Sequence, residues 1–421
     1  MEKINSCCHS LNLKNKYLCS QKIILKTMEV MTQGKLNLFL PDGTLKVFGK
    51  DDKFEATLYI KNPLFFRKCL FYGDIGFGES FVEGHIESPD IVAVLKWFLL
   101  NVENATSISG SRKKKNIFVN FFGFLNRVSH VLRENNLMNS RRNIAEHYDL
   151  GNDFFNLFLD ETKTYSSAYF EHSTTSLQEA QIKKYRKLCS AIHLKDTDHV
   201  LEIGSGWGGF ALFMAETFGC QVTTITISQK QYDYVLNLIK EKKLQEKVTI
   251  KLCDYREIEG QFDKIVSVEM LEAVGAKYYS IFFEKCSHLL RPQGLMGLQV
   301  ILCHDSRFES LKKNVDWIQK HIFPGSLLPS LTALTTAANK KSQFTLYYFD
   351  DMGIHYAHTL KTWRKTFLEK NKEVLNLGFS QTFFRKWDYY LAYCEAAFYM
   401  RNITVAQMVY TKPNNMLLNY S

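Results

Sequence analysis

The feature that most constrains this chain is a strand–helix alternation that begins near residue 197. His199–Ile203 reads as a strand, Gly204 to Gly209 as a loop, and a helix follows through Phe218. Gln221–Ile227 is the next strand, with a helix from Ser228 to about Lys243, and Val248–Leu252, Lys264–Val268 and Leu295–Ile301 are further strands. Apolar strands separated by helical stretches demand a mostly parallel sheet with helices on both faces, an α/β fold. Residues 305–344 interrupt the alternation and read as an inserted helical lid or substrate-pocket segment. Phe344–Phe349 and Ile403–Thr411 flank a helical 357–400 and are expected to form a final antiparallel pair.

Within this frame the strongest chemical signal is Val200-Leu201-Glu202-Ile203-Gly204-Ser205-Gly206-Trp207-Gly208-Gly209. Small residues let the backbone turn sharply after a strand and approach a ligand closely. Dinucleotide enzymes use a similar loop, but here the next helix is entered at Trp207, without the spacing of a pyrophosphate clamp. Glu202 lies inside the end of the first strand, where it would meet a cationic amino group. The second strand ends Thr224-Ile225-Thr226-Ile227-Ser228 and offers no carboxylate for a ribose. The loop therefore favours S-adenosylmethionine over NAD, with Asp254-Tyr255 placed after the third strand to hold an adenine.

Two further stretches stand out. His147–Phe155 and Thr164–Phe170 alternate polar and aromatic residues around glycine without helical or strand period, and read as a cofactor lid. Glu269 and Glu272, in Ser267-Val268-Glu269-Met270-Leu271-Glu272-Ala273-Val274-Gly275, follow the fourth strand at i and i+3, where one turn of chain brings two carboxylates together. Ligands of open α/β sheets bind outside the carboxyl ends of the strands, so Glu272 is read as functional rather than as an ordinary surface acid.

The N-terminal part differs. Lys35–Leu40, Leu45–Gly49 and Glu55–Ile60 read as strands, Pro63–Leu70 as helical, and Gly73–Gly78 as a tight loop. Ser88 is the expected N-cap of an apolar helix through Leu100, with Pro89 at the first helical position. Residues 104–140 read as a linker, in which Arg112-Lys113-Lys114-Lys115 precedes the aromatic run Ile117–Val128. The formal charge of +10 calls for an anionic partner, and this stretch suits an anionic membrane surface or packing on a neighbouring domain. No motif for nucleic acid is present. The ten cysteines are scattered with no CxxC pair, so neither a disulfide framework nor a metal site is expected and a reducing, cytoplasmic setting fits. No signal-peptide core or membrane span is legible, which leaves a protein peripheral on a membrane surface.

These residues carry a family resemblance. Arg141–Ile144 through Asn152-Asp153-Phe154, Thr164–Phe170, Leu201–Gly209, Glu269–Gly275, Ile322–Gly325 and Trp387–Ala396 resemble the cyclopropane-fatty-acyl-phospholipid synthases, the family that includes the mycolic acid cyclopropane synthases. Leu40–Gly43 and Gly73–Glu79 resemble the accessory domain of its two-domain members. The resemblance implies a class I S-adenosylmethionine-dependent methyltransferase, Rossmann-like with a mostly parallel seven-stranded sheet, preceded by a small α+β accessory domain. The division it suggests is an extension at 1–30, an accessory lipid-binding-type domain at 31–103, the linker at 104–140 and the catalytic domain at 141–421. A homodimer is left open.

The implied reaction is methylene transfer from S-adenosylmethionine to the cis double bond of an unsaturated phospholipid acyl chain. In similar enzymes a bound bicarbonate removes the proton that closes the ring, held by a Cys, a Glu, a His, the backbone of an Ile, and a Tyr. The corresponding residues here are Ser167, Glu272, Gln299, Ile301 and Tyr356. Serine in place of Cys argues against an essential thiol, and Gln299 in place of His can donate but not ionise. The resemblance assigns cofactor binding to Tyr165, Ser166, Gly204, Gly206, Thr226, Gln231, Asp254 and Tyr255, beside Glu202. Alternatives are a lipid methyl-branching enzyme, a small-molecule N-methyltransferase of the same family, and an inactive lipid-binding protein.

Overall fold

The computed structural model describes residues 18–50, 54–101, 150–172 and 174–418. The basic and aromatic linker, Arg141–Ile144 and His147–Asp149 lie outside the described residues. The chain divides into two compact units, of which the first comprises the described part of residues 1–130 with 313–322 and 371–400.

In the first unit, β1 (Lys35–Phe39), β2 (Leu45–Phe48), β3 (Glu55–Ile60) and β4 (Ile86–Glu87) form a sheet of order β2-β1-β3-β4. The β1–β2 hairpin turns at Pro41-Asp42-Gly43-Thr44, where the Asp42 carboxylate accepts from the Thr44 N–H at 2.9 Å. Helices α1 (Leu64–Tyr72), α2 (Asp74–Val82) and α3 (Ile91–Asn101) accompany the sheet, with helices Trp317–His321, Asn371–Asn376 and Gln381–Tyr399.

Two expectations are corrected here. The glycine-rich Gly73–Gly78 is not a loop: Gly73 alone takes the turn, at φ 59°, and α2 starts at Asp74. A Cβ on Gly76 would stand 2.1 Å from the Lys68 carbonyl oxygen, and one on Gly78 2.5 Å from Trp317 and 2.6 Å from Tyr389. These glycines serve close packing of a helix, at about 1 kcal/mol of helix propensity each. Asp90, not Ser88, caps α3, accepting from the Ala93 N–H at 3.1 Å, while Ser88 Oγ accepts from the Asp90 N–H and donates to the Thr57 carbonyl.

The second unit is built on a seven-stranded sheet of order β10-β11-β9-β8-β5-β6-β7. Its strands are β5 (His199–Ile203), β6 (Gln221–Thr226), β7 (Val248–Leu252), β8 (Phe262–Val268), β9 (Leu290–Cys303), β10 (Thr345–Asp351) and β11 (Ile403–Thr411). Only β11 runs against the others, pairing antiparallel with β9 and β10. Alternation along the strands sends Leu201, Ile203 and Ile265 into one core and Val200, Val222 and Val266 into another, as expected for a sheet covered on both faces. One face carries α5 (Leu177–Ala191), α6 (Gly209–Phe218) and α7 (Gln229–Glu241), and the other α8 (Tyr279–Leu289) and α10 (Leu331–Lys341). The short α4 (Asn152–Asn156) precedes them, α9 (Asp305–Lys313) follows β9, and α11 (Gly353–Glu369) follows β10.

Strand order reverses at β5, whose neighbours are β6 and β8. The crevice at such a switch point is where open α/β sheets bind ligands. The glycine loop after β5 and the Glu269–Gly275 segment after β8 both end there, and Ser267 Oγ ties the two strands by donating to the Ile203 carbonyl at 2.8 Å.

Candidate active site

The glycine loop is shaped by backbone conformation. Gly204, Gly206 and Gly208 have φ of 99°, 49° and 85°, values that disfavour any side chain. The Gly204 and Ser205 N–H groups both donate to the Ile225 carbonyl, folding the loop against β6. α6 begins at Gly209, two residues later than the entry at Trp207 expected from the sequence. Trp207 instead leaves the loop sideways, donating from Nε1 to Asn152 Oδ1 at 2.8 Å and packing on Phe155. The described part of the first lid stretch therefore touches the glycine loop. Among the described residues, none but its chain neighbours comes within 4 Å of where a Gly206 Cβ would stand, which leaves room for a ligand to approach the backbone.

The other residues expected to hold the cofactor are placed as follows. Glu202 is buried at the end of β5, accepting from Thr224 Oγ1 at 2.5 Å. Burial pushes its carboxyl up to about 8, against the pull of the Thr224 hydroxyl and the Lys184 ammonium. Thr226 Oγ1 donates to Gln231 Oε1 at 2.8 Å, closing the β6–α7 turn. Asp254 is clamped by Arg256, whose Nε and Nη2 each lie 2.7 Å from a carboxylate oxygen. The Tyr255 ring is buried against Phe282 in the core. Tyr165 stacks on Trp363 with centroids 5.3 Å apart.

Beside the loop, Thr164–Phe170 is held by main-chain bonds on several sides. The Ala168 N–H donates to Thr359 Oγ1 and the Phe170 N–H to His355 Nδ1, both from α11. From α5, Gln181 Nε2 donates to the Ser166 carbonyl and Lys184 Nζ to Ser166 Oγ at 2.7 Å. This fixes the Ser167 main chain, while its hydroxyl turns to its neighbour's carbonyl, Ala168 O.

Glu269 is the centre of the cluster. Its Oε1 accepts from the Ser167 N–H and from Gln299 Nε2, each at 2.8 Å, and its Oε2 accepts from the Tyr356 hydroxyl at 2.7 Å. Gln299 stands on β9 opposite Gln407 of β11, whose Nε2 donates to Gln299 Oε1 at 3.1 Å. That bond leaves the Gln299 amide nitrogen as the group facing Glu269. Glu269 itself takes a left-handed φ of 50°, its N–H donating to the Gln299 carbonyl. Burial raises its carboxyl above the ordinary range, opposed by the three donors and by the Lys184 charge.

Glu272 is buried close by, with Oε1 accepting from the Ile301 N–H at 2.5 Å and Oε2 without a hydrogen-bond partner among the described residues. Desolvation first, and the Glu269 charge second, push it up to about 8. Lys184 is driven down to about 8 by burial, against the pull of Glu269, Asp160 and Glu202. The structure thus brings Ser167, Gln299 and Tyr356 onto one carboxylate, Glu269, and puts Ile301 on another, Glu272. Glu269, given no role of its own from the sequence, and Lys184 and Gln407, passed over there, belong to this cluster. For Lys184 a signal existed: it shares the α5 stripe of Ala180 and Leu188 at four-residue spacing.

A polar cluster dried by burial beside a glycine loop at the switch point suits transfer chemistry on an apolar ligand. The family model for mycolic acid cyclopropane synthetase matches residues 135–408. The chain belongs to this family. The chain is 35% identical over 375 residues to a tuberculostearic acid methyltransferase of Mycobacterium tuberculosis, a match covering 86% of this chain and 84% of that one. It is 34% identical over 375 residues to the cyclopropane-fatty-acyl-phospholipid synthase of Escherichia coli, covering 85% of this chain and 88% of that one. A crystallised mycolic acid cyclopropane synthase in complex with SAH and CTAB superimposes with a TM-score of 0.60 at 30% identity, covering 65% of this chain and 98% of that one. This member of the cyclopropane synthetase family is an S-adenosylmethionine-dependent methyltransferase. Among its described residues no helix is long and apolar enough to cross a membrane.

Proposed function

We propose that this chain transfers a methylene group from S-adenosylmethionine to the cis double bond of unsaturated acyl chains in membrane phospholipids, closing a cyclopropane ring through a carbocation. The observation that carries the reading is the Glu269–Tyr356–Gln299 cluster beside the glycine loop. An alkene is a poor nucleophile, so the sulfonium methyl must be held in line and away from water. Attack leaves a cation in a dry site, which an adjacent anion and the faces of Tyr165, Tyr356 and Trp363 can stabilise. A base then takes a proton from the transferred methyl and the ring closes.

The cofactor residues are carried into this proposal in the roles the resemblance implies. Glu202 would meet the ammonium of S-adenosylmethionine, whose charge favours the ionised carboxylate, and the glycine loop would let the backbone approach. The bicarbonate that the resemblance implies does not fit the residues present. The Ser167 N–H, Gln299 Nε2 and Tyr356 hydroxyl that would hold it already converge on Glu269. The Ile301 N–H is taken by Glu272, and no step is routed through bicarbonate.

The name of the Escherichia coli relative supports a phospholipid substrate. A lipid in a bilayer must be met at the membrane surface, for which the sequence offers Arg112 to Lys115. The tuberculostearic acid relative supports a second reading, in which a hydride from a reduced nicotinamide-type donor, oxidised in the step, quenches the cation and leaves a methyl branch. Purified protein with S-adenosylmethionine and monounsaturated phospholipid vesicles is expected to yield acyl chains one methylene heavier. Unchanged lipid alongside a methylated amine would overturn the proposal.

A further inference from the structure

We infer that Glu269 is the general base of this enzyme, its carboxylate standing where the family resemblance places a dissolved bicarbonate, so that ring closure needs no added anion. The inference rests on the methylene-transfer reading above. Three of the groups that the resemblance assigns to an anion, Ser167, Gln299 and Tyr356, converge on the two oxygens of this one side chain. The side chain is tethered, so a base is present in every molecule at an effective concentration that a dissolved anion does not reach.

Independent features agree. Glu269 lies at the carboxyl end of β8, in the crevice where the strand order reverses, and its carboxylate gathers donors from three separate segments of the chain. Its left-handed backbone costs a non-glycine residue about 1 kcal/mol, and such outliers concentrate where function requires the side chain. Glutamine at position 299 suits a fixed carboxylate: its nitrogen is turned to Glu269 by Gln407, and it adds no second titrating group. Burial raises both carboxyls, Glu272 to about 8, and of the two Glu269 has the three hydrogen-bond donors and the Lys184 charge that favour its ionised form.

The step balances. Attack of the alkene forms one carbon–carbon bond and breaks the sulfur–methyl bond, leaving S-adenosylhomocysteine and a carbocation. A C–H bond of the transferred methyl then breaks and its electron pair closes the second ring bond onto the cationic carbon. The proton goes to a Glu269 carboxylate oxygen and is later released to water.

The test compares wild type, Glu269→Gln and Glu269→Gly with S-adenosylmethionine and monounsaturated phosphatidylglycerol vesicles, in buffer stripped of carbon dioxide and again with millimolar bicarbonate restored. Glu269→Gly is expected to fold, because glycine relaxes the left-handed backbone. Wild type should turn over at the same rate in both buffers. Glu269→Gln should lose about 100-fold or more in both. Glu269→Gly should be as slow in stripped buffer and recover part of its rate with bicarbonate. A wild-type rate that falls on stripping and returns with bicarbonate overturns the inference, as does near-wild-type turnover by Glu269→Gln. If wild type makes no ring lipid in either buffer, the methylene-transfer reading fails and the base role with it. Carbon-13 NMR of labelled bicarbonate then reads the anion cradle alone. Broadening by Glu269→Gly but not by wild type still places the carboxylate there, and broadening by wild type removes it.

Discussion

Tyr356→Phe removes one hydroxyl from the site and leaves the ring in place. That hydroxyl, at 2.7 Å, is one of three donors to the Glu269 carboxylate and the only one on Oε2 among the described residues. A hydrogen bond to a charged group is worth about 1.5–3 kcal/mol. At 1.36 kcal/mol per pKa unit, its loss should raise the Glu269 carboxyl by about 1–2 units. The direction is upward because the donor favours the ionised form. The pH–rate profile of the variant should therefore be displaced to higher pH than that of wild type, with the lost rate recovering as pH rises. The assay is the initial rate of ring formation, followed by lipid mass spectrometry from about pH 6 to about pH 9.5, a window that brackets a shift of this size. Binding of S-adenosylmethionine should be unchanged, because the lost bond is to Glu269. A uniform loss of rate with no displacement of the pH profile, or no loss at all, would refute the argument that Tyr356 acts through Glu269.

Other expectations follow from burial and backbone geometry. Glu272 stands at about 8 in the folded chain against 4.5 for an ordinary glutamate, so the folded state retains a proton that the unfolded chain has released. Stability is therefore lost as pH rises from 4.5 towards 8, with a cost of order 3 kcal/mol by neutral pH. Glu272→Gln should melt above wild type at pH 8, with the gap closing towards pH 4.5; a variant no more stable at the alkaline end would contradict this. Gly208→Ala places a Cβ 3.1 Å from both Val235 methyls at a φ of 85°. It should cost about 1–3 kcal/mol and weaken S-adenosylmethionine binding by calorimetry, whereas unchanged affinity would show that the loop tolerates a side chain.

Much of the second unit was legible because its constraints are local. A parallel sheet writes itself as apolar strands between amphipathic helices, and the turn after β5 needs positive φ at Gly204, Gly206 and Gly208. The pairing of Glu269 with Glu272 was legible from spacing. Which of them gathers the donors was not, since Tyr356, Gln299 and the Ser167 N–H reach Glu269 across separations of 87, 30 and 102 residues. Gly78 was misread for the same reason. Glycine signals a turn or a close neighbour, and Trp317 and Tyr389, the neighbours of Gly78, lie far along the chain. Lys184 looked like one more cation in Lys183-Lys184-Tyr185-Arg186-Lys187, and only its position on the apolar stripe marked it as buried.

The account rests on removal of a proton from the transferred methyl group. The direct measurement supplies S-adenosylmethionine carrying a fully deuterated methyl with monounsaturated phospholipid vesicles, and reads the lipid product by mass spectrometry and NMR. Retention of two of the three deuteriums, in a cyclopropane methylene, is the predicted result. A product that keeps all three in a methyl branch, or label found on an amine with the lipid unchanged, would contradict it.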